Sequence, residues 1–168
     1  MVKTEKGGKK ALLLSFSVKG YRAFYDEVTF SMVANNYIQK NKDNIIEIKA
    51  GENDISVVKT ALLFGPNNAG KTCFLEALHC FVELIKAEKI PKDLEYNIFS
   101  DELKMNFKIK FVENSKIYEY ELYLHDEEIE NEILKINNEL IFDRVNIANS
   151  KSESFKNLNK LIGGYKNK

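Results

Sequence analysis

Arginine is nearly missing from this chain: among 25 basic residues only Arg22 and Arg144 are arginine, and the rest are lysine. That scarcity removes the usual reader of guanine edges and of phosphate forks, so any contact with DNA by this chain alone is expected to be weak. Charge of one sign is missing too. Lysine plus arginine and aspartate plus glutamate both number 25, so no global field favours nucleic acid or a membrane surface. Cysteine is limited to Cys73 and Cys80. Seven positions apart on one helix, at about 1.5 Å per residue, their Cα atoms are roughly 10 Å apart, too far for a bond to each other. A reduced, cytoplasmic chain is the expectation. Long apolar runs are absent as well, since each is interrupted within about ten residues where a membrane span needs about 20, and no secretory leader is visible. Glutamine occurs once, at Gln39, and no glycine lies between Gly70 and Gly163.

At 168 residues and 19.4 kDa the chain is long enough to bury a sizeable core, as one domain or part of a larger one. Its most informative stretch is Gly65-Pro66-Asn67-Asn68-Ala69-Gly70-Lys71-Thr72, which fits the phosphate-binding pattern G-x-x-x-x-G-K-[ST] at every fixed position. Such a loop needs a strand before it and a helix after it, so that backbone N–H groups and the helix N-terminus converge on a polyphosphate. Upstream, Val57 to Phe64 is β-branched and then apolar, as a strand covered on both faces should be. Downstream, Phe74, Leu75, Leu78, Phe81, Val82 and Ile85 recur at helical spacing, predicting one buried face of a helix that starts near Lys71. Gly65 and Gly70 allow close backbone approach, Lys71 reaches the β- and γ-phosphates, and Thr72 offers a hydroxyl to Mg²⁺. ATP with Mg²⁺ is the expected cofactor pair, held by Gly65, Pro66, Asn67, Asn68, Ala69, Gly70, Lys71, Thr72 and Cys73, with Thr72 on the metal.

Three regions are expected. Met1 to Lys10, with Gly7-Gly8 and four lysines, is a basic tail that reads as disordered and offers DNA a weak electrostatic contact. Residues 11–145 form the main body: strands within 11–64, the loop and helix over 65–88, and an antiparallel meander over 103–145. Residues 146–168 are a polar tail with a short amphipathic segment at Phe155, Leu158, Leu161 and Ile162. In the body, Leu12, Leu14, Phe16 and Val18 alternate on one face of a first strand, and Val28, Phe30, Met32 and Ala34 on one face of a second. Between them Lys19 to Phe24 reads as a turn with exposed aromatics. Asn44 to Lys49 reads as a third strand, and Lys89 to Asp93, containing Pro91, stops the helix. The meander pairs Met105 to Phe111 with Tyr118 to Leu124, then Ile129 to Ile136 with Glu139 to Val145, the last pair turning at Asn137-Asn138.

This order of parts resembles the front of an ABC-type ATPase head of the RecF and SMC kind. The resemblance extends to the "AAA family ATPase" proteins of bacterial abortive-infection and phage-defence systems and to their OLD-family relatives. Three stretches carry it: Leu14 to Phe24 in place of a strand followed by asparagine-phenylalanine-arginine and an aromatic, the loop at Gly65 to Thr72, and Phe74-Leu75-Glu76-Ala77-Leu78. Gly20 stands where that family commonly has asparagine. The resemblance covers roughly residues 12–145 and implies an α/β P-loop NTPase fold: an ABC-type head fragment with a mixed or antiparallel β-lobe and a single long P-loop helix. Small P-loop kinases place their loop close to the N-terminus, whereas here about sixty residues of strand come first.

Hydrolysis in such heads also needs an acidic strand ending in Asp-Glu, a glutamine loop, a serine-glycine signature and a late histidine. Leu140-Ile141-Phe142-Asp143 is followed by Arg144, and His125 breaks the apolar run before Asp126-Glu127. Gln39 precedes the loop, and Leu161 to Tyr165 lacks the serine. His79 and His125 have no metal-spaced partners. No catalytic residue is therefore assigned. The expectation is the front portion of a larger ATPase, which hydrolyses ATP only when downstream elements, a homodimer or a partner chain complete the site. The strand before the loop would then be left with an open apolar edge. An alternative of another class is an interaction module with a vestigial loop, motivated by Tyr118, Tyr120 and Tyr123.

Overall fold

The computed structural model describes residues 11–35, 42–50, 53–87, 90, 94–100 and 102–145. The expectations for the basic tail, most of the helix stop and the amphipathic C-terminal segment lie outside these residues. A six-stranded sheet is built from β1 (Leu12–Lys19), β2 (Val28–Ser31), β5 (Lys104–Glu113), β6 (Lys116–His125), β7 (Glu128–Ile136) and β8 (Glu139–Val145). Their order is β2-β1-β5-β6-β7-β8, and every pairing is antiparallel. A separate two-stranded ribbon joins β3 (Ile45–Ala50) to β4 (Asn53–Val58), and the long helix α1 spans Lys71–Ala87.

Turn chemistry explains the meander. The β5–β6, β6–β7 and β7–β8 turns put Asn114 and Ser115, Asp126 and Glu127, and Asn137 and Asn138 at φ values between 50° and 66°. Two consecutive positive φ angles define the two-residue turn whose twist matches paired strands, and asparagine and aspartate tolerate that region best. Asn137 adds two bonds, its N–H donating to the Ile117 carbonyl and its Oδ1 accepting from the Ile117 N–H, both at 2.8 Å.

Helix α1 lays Phe74, Ala77, Phe81, Leu84 and Ile85 against Phe16, Val18, Phe107, Tyr120 and Leu122 of the sheet. Phe16 is the hub of this core, edge-on to Phe74 and stacked on Phe107. The predicted helical period is right, but its phase is rotated. Leu75 is 57% exposed, while Ala77 and Leu84 are fully buried. A second cluster gathers Leu14, Ala50, Val57 and Val112 where the ribbon meets the sheet. The four alternating residues of β1 do not share one environment, because the register slips at Leu14. Leu14 joins the ribbon cluster with Leu12 packed against it, while Phe16 and Val18 join the helix-facing core. A bulge inserts one residue and turns the following side chains to the other face.

Two further expectations are corrected. The second strand stops at Ser31, since Met32 still donates to the Leu14 carbonyl of β1 but the chain then crosses to β4: Val58 donates to the Met32 carbonyl and Ala34 to that of Ser56, each at 2.8 Å. The strand expected over Val57 to Phe64 ends at Val58. Beyond it, Leu62, Leu63 and Phe64 are exposed by 71%, 40% and 85%. These residues pair with no strand among those described and form none themselves, so in place of the open strand edge expected before the loop there is an exposed apolar segment. The architecture described is thus a mostly antiparallel sheet with one helix, and a parallel core is not among the described residues.

One buried charge stands apart in the core. Glu132 is fully buried and accepts from the Tyr120 hydroxyl at 2.8 Å, with Arg144 Nη1 at 4.0 Å from its other oxygen. Burial, reinforced by that neighbouring carboxylate, holds the Tyr120 phenol well above its ordinary pKa.

Candidate functional site

The glycine-rich loop sits at the mouth of α1. Pro66 to Ala69 forms a turn closed by Ala69 N–H donating to the Pro66 carbonyl at 3.3 Å, with Asn68 at φ 66°. A positive φ at the third position of such a turn is the type II arrangement, which asparagine and glycine satisfy. Gly70, at φ 81°, then leads into the helix. The first helical bond runs from Phe74 N–H to the Gly70 carbonyl at 2.9 Å. The amides of Gly70, Lys71, Thr72 and Cys73 precede that bond and have no backbone acceptor among the described residues. Four free donors at the start of a 17-residue helix carry the positive end of its dipole, an arrangement suited to an anion.

Lys71 lies across this loop. Its ammonium donates to the Gly65 carbonyl at 2.8 Å and to the Pro66 carbonyl at 2.6 Å. The cation is thereby held within the loop by two neutral oxygens, and a polyphosphate would have to draw it off them. An anion gives Lys71 a charged partner in exchange for two dipoles, so the exchange favours a ligand of high negative charge. Thr72 is exposed and its hydroxyl makes no hydrogen bond among the described residues, which fits a ligand to Mg²⁺. The nine predicted residues, Gly65 to Cys73, are therefore contiguous at one helix mouth, and those from Gly65 to Ala69 are all exposed.

The other wall of the mouth was only partly legible in sequence. Tyr21 is 5% exposed, not an exposed aromatic, and it packs against Phe107 in the core. Burial pushes its phenol from 10.0 up to about 12, against the opposing pull of the Arg22 guanidinium. Phe24 is half-buried: it is edge-on to Phe74, and its ring would lie 3.2 Å from a Cβ placed at Gly70. Arg22 ion-pairs with Glu76 on α1 and with Glu95, and the Glu95 hydrogen bond is the largest cause of its raised pKa. These partners lie 54 and 73 positions away along the chain, so no local pattern announces them. Gly20 closes the turn. It takes φ 76° with its Cβ position filled by the Lys104 backbone, so a side chain there has neither the backbone conformation nor the room.

The two acidic stretches weighed in sequence are both hairpin elements. Asp126 and Glu127 form the β6–β7 turn, and Leu140 to Asp143 lies in β8 at the sheet edge farthest from β2. Neither pairs with the segment before the loop among the described residues. Tyr118 and Tyr120 are buried in the sheet, and the Tyr123 hydroxyl donates to Glu121 at 2.6 Å, so the tyrosine-rich stretch is used for packing and not as a free docking face. Cys73 and Cys80 are not bonded to each other. His79 is exposed, His125 lies near Asp126 and Glu130, and no metal-holding cluster of His, Cys, Asp and Glu occurs among the described residues. No helix among them is long and apolar enough to cross a membrane. No family model matches the chain, and no curated protein matches it significantly.

Proposed function

We propose that this chain is an ATP-binding module of an ABC-type ATPase of the RecF and SMC kind, taking ATP with Mg²⁺ at Gly65 to Cys73. The observation that carries the reading is the helix mouth: four amides from Gly70 to Cys73 with no backbone acceptor among the described residues, beside a lysine whose ammonium donates to two loop carbonyls. Lys71 would neutralise the β- and γ-phosphates, the free amides would bond phosphate oxygens, and Thr72 would ligate the metal. Antiparallel strands and a ribbon ahead of the loop, instead of a loop near the N-terminus, support an ABC-type head over a small kinase.

Bound Mg²⁺ supplies charge neutralisation on the phosphates, and the chain's own residues bind and orient them. Activation of water is assigned to no residue here, because neither acidic stretch forms a strand paired beside the loop among the described residues. Hydrolysis then requires an acidic strand from further polypeptide, a second copy or a partner. Titration of labelled ATP with and without Mg²⁺ tests the reading. Lys71→Ala should weaken binding by at least roughly tenfold, and Thr72→Ala should remove the Mg²⁺ dependence. Equal binding by wild type and folded Lys71→Ala protein would refute it.

The second reading, an interaction module with a vestigial loop, draws support from the exposed run Leu62 to Phe64. A partner retained equally by wild type and Lys71→Ala, with no ATP bound by either, would favour it.

A further inference from the structure

The loop from Ala61 to Ala69 is exposed throughout, so little on its upstream side holds it in place. Its downstream end is different. The turn Gly20–Phe24 is closed on itself by Gly20 N–H to the Phe24 carbonyl at 2.7 Å and Phe24 N–H to the Tyr21 carbonyl at 2.9 Å. It grips α1 at two heights: Phe24 lies against Gly70 and Phe74 at the mouth, and Arg22 pairs with Glu76 further along. The same turn is fixed from behind. Arg22 N–H donates to the Glu95 carbonyl at 3.0 Å, Asn97 Nδ2 to the Arg22 carbonyl at 2.5 Å, and the Glu95 carboxylate takes the other arm of the guanidinium.

Arg22 adopts φ 45°, in the left-handed region that a side chain of its kind rarely occupies. Its Nε is buried without a partner. Both are costs, and the return is a guanidinium that reaches two carboxylates on two different segments. Fork geometry puts a separate nitrogen on each carboxylate, where a lysine would have to share one nitrogen between them.

We propose that Arg22 and Phe24 are positioning residues for the glycine-rich loop: the turn they form fixes Gly70 and the first turn of α1, and so sets how the free amides are presented to an anion. This rests on the proposed nucleotide site for its purpose, though not for its physical content. Arg22 in this role is a strut engaged with Glu76 and Glu95.

Residue-resolved amide hydrogen exchange on folded Arg22→Ala and Phe24→Ala proteins, alongside ATP titration, is the test. The hydrogen-bonded amides of Ala69 and Phe74 report on the loop and mouth, and those of β5 and β6 report on the rest of the fold. For half-exposed ion pairs the expected acceleration at Ala69 and Phe74 is about fivefold in Arg22→Ala. It should be about tenfold in Phe24→Ala, with β5 and β6 unchanged. ATP affinity should fall by similar factors, and Arg22→Lys should lie between wild type and Arg22→Ala because it keeps a cation beside the two carboxylates. Unchanged exchange at Ala69 and Phe74, or acceleration spread equally over β5 and β6, would overturn the proposal. If wild type binds no ATP the functional reading fails, and the exchange arm still decides this one.

Discussion

Replacing Gly70 by alanine tests the loop geometry at its most constrained point. Gly70 has φ 81°, where a Cβ meets its own backbone, and that conformation costs an alanine roughly 1–2 kcal/mol. The added methyl would also sit 3.2 Å from Phe24 Cε1 and 3.4 Å from Cζ, so the ring has to yield by a few tenths of an ångström. Phe24 is half-buried and can yield, which keeps the steric part below the backbone part. The strain has a cheap escape, because Gly65 to Ala69 are exposed and can rearrange without uncovering the core. The folded state should therefore give way locally. Thermal unfolding is expected to move by no more than about 2 °C, since 1 kcal/mol shifts a domain of this size by roughly 3 °C and most of the cost is relieved in the loop. ATP affinity should fall by about tenfold, the equivalent of roughly 1.4 kcal/mol, because the relaxed loop no longer aims its amides together. Titration calorimetry and a melting curve on the same preparation read both quantities. Affinity within twofold of wild type at an unchanged melting temperature would refute the claim that the positive φ at Gly70 organises the site.

Stability should also depend on alkaline pH through Tyr21. Its folded pKa is raised from 10.0 to about 12, so the stabilisation is fully present below pH 10 and is lost as pH rises towards 12. Between these limits wild type should lose about 2 kcal/mol more than Tyr21→Phe in urea unfolding, and parallel curves would contradict the burial argument. Phe64→Ser, at an 85% exposed position, should change unfolding free energy by less than about 0.5 kcal/mol while reducing self-association in light scattering. A loss above about 2 kcal/mol would mean that Phe64 is covered within the chain.

Much of the candidate site was legible because it is local. The spacing of Gly65, Gly70, Lys71 and Thr72 defines a turn and a helix start with no reference to the rest of the chain. The meander was legible for the same reason, since alternation has a period of two and paired asparagines accept positive φ. The helix was found but turned, because Leu75 is as apolar as the residues that do face the sheet. Only the placement of Phe16 and Phe107 decides that Ala77 and Leu84 point inward.

What sequence determined by itself, then, is periodicity and turn chemistry: a β-rich body, one amphipathic helix, and a phosphate-loop pattern between them. Tertiary structure decided which strands become neighbours, that β1 slips at Leu14, that Tyr21 is core, and that Leu62 to Phe64 stand uncovered. It also brought Arg22 to Glu76 and Glu95, and Phe24 to Gly70. The division has one cause. Backbone conformation depends on residues a few positions away, whereas burial and ion pairing depend on which distant segment arrives, a choice made by the packing of the whole sheet against its helix.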